Sequence, residues 1–195
     1  LYALLSGYRG EFFLYSLLGK LNQLERAGRF EYFSGVIYIP LRVPETLYIQ
    51  DFSLFQGLRE VHFAHQINQQ FDEFVLLDCG GYFGQVSMRI AALCPGLRKT
   101  LLFDPNAENC VYSTANLELT GHPFSVINAA VSDFSGGATL IFPEGPHVPD
   151  SAYIEKTEGG DIPVVRLDDV EVQHNESLKG KNLAIKLDVE GQELA

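Results

Sequence analysis

A short apolar run followed by a cluster of glycines constrains the fold of this chain more than any other feature. Residues 74–78 read Phe-Val-Leu-Leu-Asp, and glycines follow at positions 80, 81 and 84. A continuous apolar run bounded by turn residues is typical of a buried parallel strand. Glycines directly after it allow a sharp turn and a close approach to the backbone. The segment therefore predicts a strand, a turn and the start of a helix, an arrangement that binds nucleotide-type cofactors in open α/β sheets.

The alternation of strands and helices continues after this turn. The predicted elements are, in chain order, a helix over 84–93, a strand over 100–103, a helix from Pro105 to Leu119 with Asn106 as its cap, a third strand over 124–130, an antiparallel strand over 138–142, a surface loop over 145–160, and strands over 162–167 and 183–188. Strands that alternate with helices imply a parallel sheet with right-handed crossovers. The expected fold class is α/β, with a mostly parallel Rossmann-like sheet and helices on both faces.

The N-terminal part of the chain has a different pattern. One or two helices are predicted up to Gly28, followed by a short hairpin or two edge strands around 36–39 and 47–49, and by a helix over 54–70. We therefore expect a helical and hairpin cap over 1–70 and a cofactor-binding domain over 71–195. The strand over 183–188 would be the fourth core strand, and the sheet is expected to be truncated after it.

Charge and cysteine content narrow the possible functions. Asp and Glu number 25 and Lys and Arg number 14, for a net charge of −11, which argues against a nucleic-acid partner.

The three cysteines lack a Cys-x-x-Cys spacing, so we expect a reducing cytoplasm, with Cys79 packed in the turn and not acting as a nucleophile. No run is long enough to span a membrane. His62 and His65 lack a third ligand at matching spacing, so no metal site is predicted. The oligomeric state is left open.

Three predicted strands end in an acid, and these acids indicate the kind of ligand. Asp78, Asp104 and Asp188 would lie together on the rim where open α/β sheets bind ligands. A dinucleotide fingerprint fails because its first glycine position is Cys79, and the Lys and Ser/Thr of a phosphate-binding loop are missing. An acid at the end of the second strand can accept two hydrogen bonds from ribose hydroxyls. A nucleoside that carries a positive charge, such as S-adenosylmethionine, suits this rim.

Four motifs resemble those of the FkbM-type S-adenosylmethionine-dependent methyltransferases, over about residues 72–195. They are Asp-Cys-Gly-Gly-Tyr-Phe-Gly at 78–84, Phe-Asp-Pro at 103–105, Ala-Val-Ser-Asp at 130–133, and Ile-Lys-Leu-Asp-Val-Glu-Gly-Gln-Glu at 185–193. The last motif is the most specific. In this family the first motif typically reads Asp-x-Gly-Ala-Asn-x-Gly, so Gly81 and Tyr82 depart from it, and Glu usually stands where this chain has Asp104.

The resemblance implies a class I methyltransferase fold, S-adenosylmethionine as the cofactor, and a role for each matched residue. Gly80, Gly81 and Gly84 would shape the turn beneath the methionine part of the cofactor, next to Tyr82. Asp78 would anchor either the turn or the amino group of the cofactor. The remaining implied contacts are Asp104 with the ribose, Asn106, Ser132 and Asp133 near the adenine, and Asp188 and Glu190 near the transferred methyl group.

The expected reaction is transfer of a methyl group to a hydroxyl of a sugar, a polyketide or another small metabolite. Asp188 or Glu190 is the candidate general base, although Asp188 could equally bind the amino group of the cofactor. Two other hypotheses stay open at this point. One is a nicotinamide-dependent oxidoreductase, and the other is a non-catalytic Rossmann-like binding module.

Overall fold

The computed structural model describes residues 26–32, 35–41, 59–141, 153–170 and 177–189. The elements in these ranges are, in chain order, β1 (Ala27–Tyr32), β2 (Gly35–Pro40), α1 (59–70), β3 (Phe74–Cys79), α2 (Gln85–Leu93), β4 (Leu97–Phe103), α3 (Ala107–Glu118), β5 (Phe124–Ile127), β6 (Ala130–Val131), β7 (Gly136–Ile141), β8 (Tyr153–Lys156), β9 (Ile162–Val165), a 3₁₀ turn (Leu167–Asp169) and β10 (Leu183–Leu187).

The main sheet has four parallel strands in the order β10-β3-β4-β5. The helix α2 connects β3 to β4, and α3 connects β4 to β5. All six residues of β3 are buried, as the apolar run predicts for a central parallel strand. The predicted strand, turn and helix at this point are confirmed, and so is the mixed α/β class with a parallel sheet.

The helices pack on one face of this sheet. The face carries Phe74 and Leu76 of β3 and Leu102 of β4, which contact buried residues of all three helices. Glu60 of α1 and Arg89 of α2 form a buried ion pair on this side. Burial raises the pKa of Glu60, although the guanidinium of Arg89 opposes the shift.

A second sheet, not a layer of helices, covers the other face within the described residues. Val75, Leu77 and Phe103 pack there against Ala129, Val131, Val165 and Val170. The second sheet has the order β6-β9-β7-β8, in which β7 pairs antiparallel with both β8 and β9. On this face the described residues after β5 form short strands and a 3₁₀ turn, and the arrangement with helices on both faces stays a prediction.

Two predicted boundaries differ from the structure because short strands of the second sheet form there. The third strand was predicted over 124–130, but β5 ends at Ile127 and residues 130–131 pair with β9 in the second sheet. The surface loop predicted over 145–160 contains β8, which pairs with β7. The antiparallel pairing expected for residues 138–142 is confirmed over residues 138–141, which lie in β7.

The N-terminal hairpin belongs to the same core as the main sheet. It pairs β2 with β1, so residues predicted as the end of a helix near Gly28 form a strand, and the alternative partner at 47–49 lies outside the described residues. Ile37 and Ile39 are fully buried against Phe83 and Leu117. The described hairpin residues of the predicted cap therefore share a core with the main sheet. That residues 1–70 form a unit of their own stays a prediction.

The side chain of Asn116 fixes the hairpin to the sheet. Its Oδ1 accepts a bond from the N–H of Tyr38 at 2.7 Å, and its Nδ2 donates to the carbonyl of Tyr38 at 3.0 Å. The same Nδ2 donates to the carbonyl of Phe83 at 2.8 Å. One buried amide therefore joins β2, α3 and the glycine turn that follows β3.

The helix over 59–70 confirms part of the helix that was predicted over 54–70. Ala64 and Ile67 are buried as part of the core, whereas Val61 and His65 are exposed. His62 is also exposed, and the described residues contain no group of side chains that could hold a metal ion. Among them no helix is long and apolar enough to cross a membrane.

Candidate functional site

The order of the strands places a crevice beside the glycine turn. From β3 the chain moves through β4 to β5 in one direction, and β10 then adds to the other side of β3. Ligands of open α/β sheets bind where the strand order reverses, at the carboxyl ends of the strands. In this chain that point lies between the ends of β3 and β10, and the turn over 80–84 is located there.

Protein atoms already bind the backbone N–H groups of the turn. The N–H groups of Gly80 and Gly81 both donate to the carbonyl of Phe103, at 2.9 and 3.0 Å. The N–H of Tyr82 donates to the Asp104 carboxylate at 2.9 Å, and that of Gly84 donates to the carbonyl of Gly81 at 2.8 Å. These four donors are therefore engaged in fixing the turn and are not available to a phosphate group.

Two of the glycines are required by the packing of the protein itself. Gly80 has φ of 75°, and a Cβ at this position would overlap the backbone carbonyl of Asp188. A Cβ on Gly81 would overlap the buried side chain of Leu102. The sequence predicted that these glycines allow a close approach, and the atoms that approach are those of β4 and of the segment after β10.

Tyr82 occupies a backbone conformation that is uncommon for its residue type. Its φ is 50°, in the left-handed region, which bulky side chains rarely adopt. Its ring lies 3.8 Å from that of Phe83, centroid to centroid, and packs against the core beside β2. The backbone strain at Tyr82 is compensated in part by this aromatic contact.

Asp104 connects the turn to the start of α3. One carboxylate oxygen accepts the bond from Tyr82, and the other accepts from the N–H of Asn106 at 2.9 Å and from the side chain of Asn109 at 3.0 Å. Burial raises the pKa of Asp104 to about 6, although these hydrogen bonds oppose the shift. A carboxylate has about four acceptor positions, so one remains for a ligand hydroxyl, where the sequence predicted two bonds to a ribose.

The cap predicted for α3 is confirmed. The side chain of Asn106 accepts a bond from the N–H of Glu108 at 2.9 Å, which satisfies one of the free donors at the start of the helix. Asn106 therefore has a structural function, and its carboxamide faces its own helix.

Asp78 lies beneath the turn and is fully buried. Its Oδ2 accepts a bond of 2.6 Å from the hydroxyl of Ser87 in α2. Its Oδ1 faces the ammonium group of Lys186 at 3.4 Å. Of the two roles that the resemblance implied for Asp78, this environment favours anchoring of the turn, because a ligand amino group cannot reach a carboxylate without exposed surface.

Asp188 lies next to Lys186 on the exposed side of the crevice. Its carboxylate is 3.4 Å from the ammonium group of Lys186, and two thirds of its side-chain surface is exposed. Its backbone N–H donates to the carbonyl of Cys79 at 3.1 Å, which extends the pairing of β10 with β3 by one residue. Asp188 is thus close to the turn and accessible to a ligand, whereas Glu190 lies outside the described residues.

Asn128, which follows β5, was not among the site residues predicted from the sequence. Ser132 and Asp133 were expected there, but they follow β6, and the N–H of Ser132 donates to Val165 in the second sheet. Asn128 comes directly after β5 and donates to the carbonyls of Asp104 and Pro105 at 3.0 and 2.9 Å. A polar residue that ends the apolar run 124–127 was the signal that could have identified it.

Cys79 packs as a small apolar residue, as predicted. Cys79 is fully buried, and burial raises the pKa of its thiol to about 12. Burial also raises the pKa of Cys110 to about 12. Neither thiol is ionised near neutral pH, so neither has the reactivity of a nucleophile.

Comparisons with known proteins give limited similarity. No family model matches the sequence, and no curated protein matches it significantly. Among solved structures, methyltransferase FkbM from Methylobacillus flagellatus KT is similar with 17% identity and a TM-score of 0.40, over 63% of this chain and 28% of that chain. A SAM-dependent methyltransferase from Agrobacterium tumefaciens is similar with 16% identity and a TM-score of 0.39, over 52% and 32%. The chain spans less than a third of the length of these two structures.

Proposed function

We propose that this protein is an S-adenosylmethionine-dependent methyltransferase. The proposal rests on the hydrogen-bond partners of the backbone N–H groups in the turn between β3 and α2. The N–H groups of Gly80, Gly81, Tyr82 and Gly84 all bind protein atoms, whereas a pyrophosphate needs free N–H groups at this place. The engaged donors of the turn therefore favour a ligand that places no phosphate on the turn itself.

The charges around the crevice favour a cationic nucleoside. Asp78, Asp104 and Asp188 all lie at the carboxyl ends of main-sheet strands, and Lys186 among them is paired with two of these acids. The four sequence motifs that resemble FkbM-type methyltransferases include each of these residues. S-adenosylmethionine carries a sulfonium and an ammonium group, so it is attracted by this excess of negative charge.

S-adenosylmethionine would supply an activated methyl group, and the protein would hold the acceptor oxygen in line with it. We place the methionine part beside the turn and Asp188, and the ribose within reach of the free acceptor position of Asp104. Ser132, Asp133 and Asn106 keep their proposed positions towards the adenine. The acceptor is a hydroxyl of a sugar, a polyketide or another small metabolite.

Asp188 is the candidate general base, together with Glu190. Its exposed carboxylate can reach a bound acceptor, and a base of this type takes the hydroxyl proton as the new bond forms. A variant separates this role from binding of the cofactor amino group. If Asp188 is the base, Asp188→Asn lowers kcat and leaves the Kd for S-adenosylhomocysteine unchanged, whereas an amino-group ligand would weaken the Kd.

Calorimetric titration with S-adenosylhomocysteine tests the proposed cofactor. We expect binding with a Kd on the order of micromolar, and loss of this binding in Asp104→Ala, because the variant removes both the ribose acceptor and the bond to Tyr82. Asp161→Asn is the matched control, since Asp161 is an exposed acid directly before β9.

A parallel titration with the reduced nicotinamide dinucleotide, followed by fluorescence, separates the other hypotheses. Binding of the dinucleotide without binding of S-adenosylhomocysteine would replace the methyltransferase proposal with an oxidoreductase. Binding of neither ligand would favour a non-catalytic module.

A further inference from the structure

Lys186 belongs to the sequence motif at 185–193, but the resemblance implies no role for it. Its side chain extends from β10 to the space beneath the glycine turn, where less than a fifth of its surface is exposed. Its ammonium group donates to the carbonyl of Gly80 at 2.6 Å and lies 3.4 Å from both Asp78 Oδ1 and Asp188 Oδ2. The same ammonium group lies 3.5 Å from the carbonyl of Cys79, so it faces two backbone carbonyls and two carboxylates from different parts of the crevice.

The pairing with Lys186 is needed because Asp78 has no contact with water. Its Oδ2 is satisfied by Ser87, but its Oδ1 accepts no hydrogen bond from the described residues and has Lys186 as its nearest cation. A buried carboxylate without a counter-ion is strongly destabilising. Burial alone would lower the pKa of Lys186, but the charges of Asp78 and Asp188 outweigh this effect and raise it.

The same ammonium group holds the two sides of the crevice together. The carbonyl of Gly80 belongs to the turn after β3, and Asp188 belongs to the segment after β10. These two segments are also in close contact through the backbone of Gly80 and the carbonyl of Asp188. Lys186 therefore fixes the carboxylate of Asp188 relative to the turn before a ligand arrives.

We propose that Lys186 is the positioning residue of this crevice. It neutralises the buried Asp78, fixes the carbonyl of Gly80, and holds the carboxylate of Asp188 at the edge of the crevice. The identity of the ligand rests on the proposed function, but the ion pair between Lys186 and Asp78 does not.

Other charged groups near Asp78 are fixed by their own contacts. Glu60 of α1 is paired with Arg89 of α2, and Asp104 after β4 accepts three hydrogen bonds. Cys79, the neighbour of Asp78 in β3, keeps its proton near neutral pH. Lys186 is accordingly the group whose removal changes the charge balance at Asp78 directly.

Unfolding of Lys186→Met at two pH values tests the ion pair without any ligand. In the variant, Asp78 is ionised without a counter-ion near neutral pH but can be protonated in acid. We expect the melting temperature to fall on the order of 10 °C below that of the wild type at about pH 8, and clearly less at about pH 5. Lys181→Met removes the same charge from an exposed position before β10 and should show no such difference.

The double variant Lys186→Met/Asp78→Asn separates the two parts of the proposal. Removing both charges should restore most of the melting temperature, because no unpaired charge remains at position 78. The affinity for S-adenosylhomocysteine should stay about tenfold or more below that of the wild type, because the carbonyl of Gly80, and with it the turn beside the methionine part, is no longer held in position. Where Lys186→Met alone does not fold, the double variant is compared with Asp78→Asn, which keeps the contacts of Lys186 with Asp188 and Gly80.

The outcomes are distinct for the two proposals. Equal losses of stability at both pH values, or no recovery in the double variant, would overturn the ion-pair role of Lys186. Full recovery of affinity in the double variant would overturn its positioning role. A wild-type protein that binds no S-adenosylhomocysteine would instead refute the proposed function, and the pH comparison would still decide whether the ion pair exists.

Discussion

Substitution of Gly80 by alanine tests whether the turn and the end of β10 are as close as the structure shows. Two costs add at this position. The left-handed conformation, with φ of 75°, costs an alanine about 1–2 kcal/mol. In addition, the new Cβ would overlap the carbonyl of Asp188, so the two segments have to move apart.

The contacts that hold the segments together give the size of the second cost. Separation breaks the bond from Lys186 to the carbonyl of Gly80, of 2.6 Å, and the bond from the N–H of Asp188 to Cys79, of 3.1 Å. A hydrogen bond to a charged group contributes about 1.5–3 kcal/mol and a neutral one about 1 kcal/mol. We therefore expect Gly80→Ala to destabilise the protein by about 5 kcal/mol, measured by urea unfolding.

Gly84→Ala is the matched control for this measurement. Gly84 has φ of 80°, so alanine is strained there to a similar degree, but the nearest atoms to its Cβ would be those of Ser113 and Leu117 at ordinary contact distances of 3.5 and 3.6 Å. This variant should lose only the conformational cost of about 1–2 kcal/mol. Equal losses in the two variants would refute the close approach of Asp188 to the turn.

Two further predictions concern buried polar groups. Asn116→Ala leaves the N–H and carbonyl of Tyr38 and the carbonyl of Phe83 without this partner and should cost about 3 kcal/mol in urea unfolding, whereas a loss below about 1 kcal/mol would show that the hairpin is held by apolar contacts alone. For Asp104, the folded-state pKa of about 6 lies above the unfolded value of about 4, so its contribution to stability is complete below about pH 4 and is lost as the pH rises through about 6. The wild type should therefore lose up to about 3 kcal/mol over this range relative to Asp104→Asn, and parallel pH profiles of the two proteins would contradict this.

The main sheet could be predicted from the sequence because its signals are local. The run at 74–77 is apolar throughout, and the cap at Asn106 and the glycine at position 84 mark the starts of two helices. A strand buried on both faces, followed by a helix with a cap, leaves little choice of structure. These elements alone place the carboxyl ends of β3, β4 and β10 on one edge.

The second sheet could not be predicted in the same way, because its strands depend on distant partners. Residues 130–131 continue the apolar pattern of β5 but pair with β9, more than thirty residues later in the chain. Residues 153–156 lie in a segment rich in polar and turn residues, and only the pairing with β7 makes them a strand. Strand propensity depends on the neighbouring strand, which periodicity does not reveal.

The roles of the site residues were less predictable than their positions. Asp78 and Asp104 lie where the sequence placed them, but Asp78 is fully buried, and hydrogen bonds within the protein occupy three acceptor positions of Asp104. The ion pair of Lys186 with Asp78 joins residues 108 positions apart, and it depends on the register that sets the two side by side in β10 and β3. Spacing along the chain contains no information about that register.

Tyr82 lies in a left-handed turn, at the position where the motif that this chain resembles has asparagine. Among residues other than glycine, asparagine is one of the few that adopt φ near 50° at low cost, whereas a bulky residue such as tyrosine rarely does. The contact that Tyr82 makes with Asp104 uses its backbone N–H, which every residue at this position supplies except proline. The aromatic contact with Phe83 offsets part of the strain. The departure from the family pattern at Tyr82 thus changes the stability of the turn and leaves its hydrogen bonds to the crevice intact.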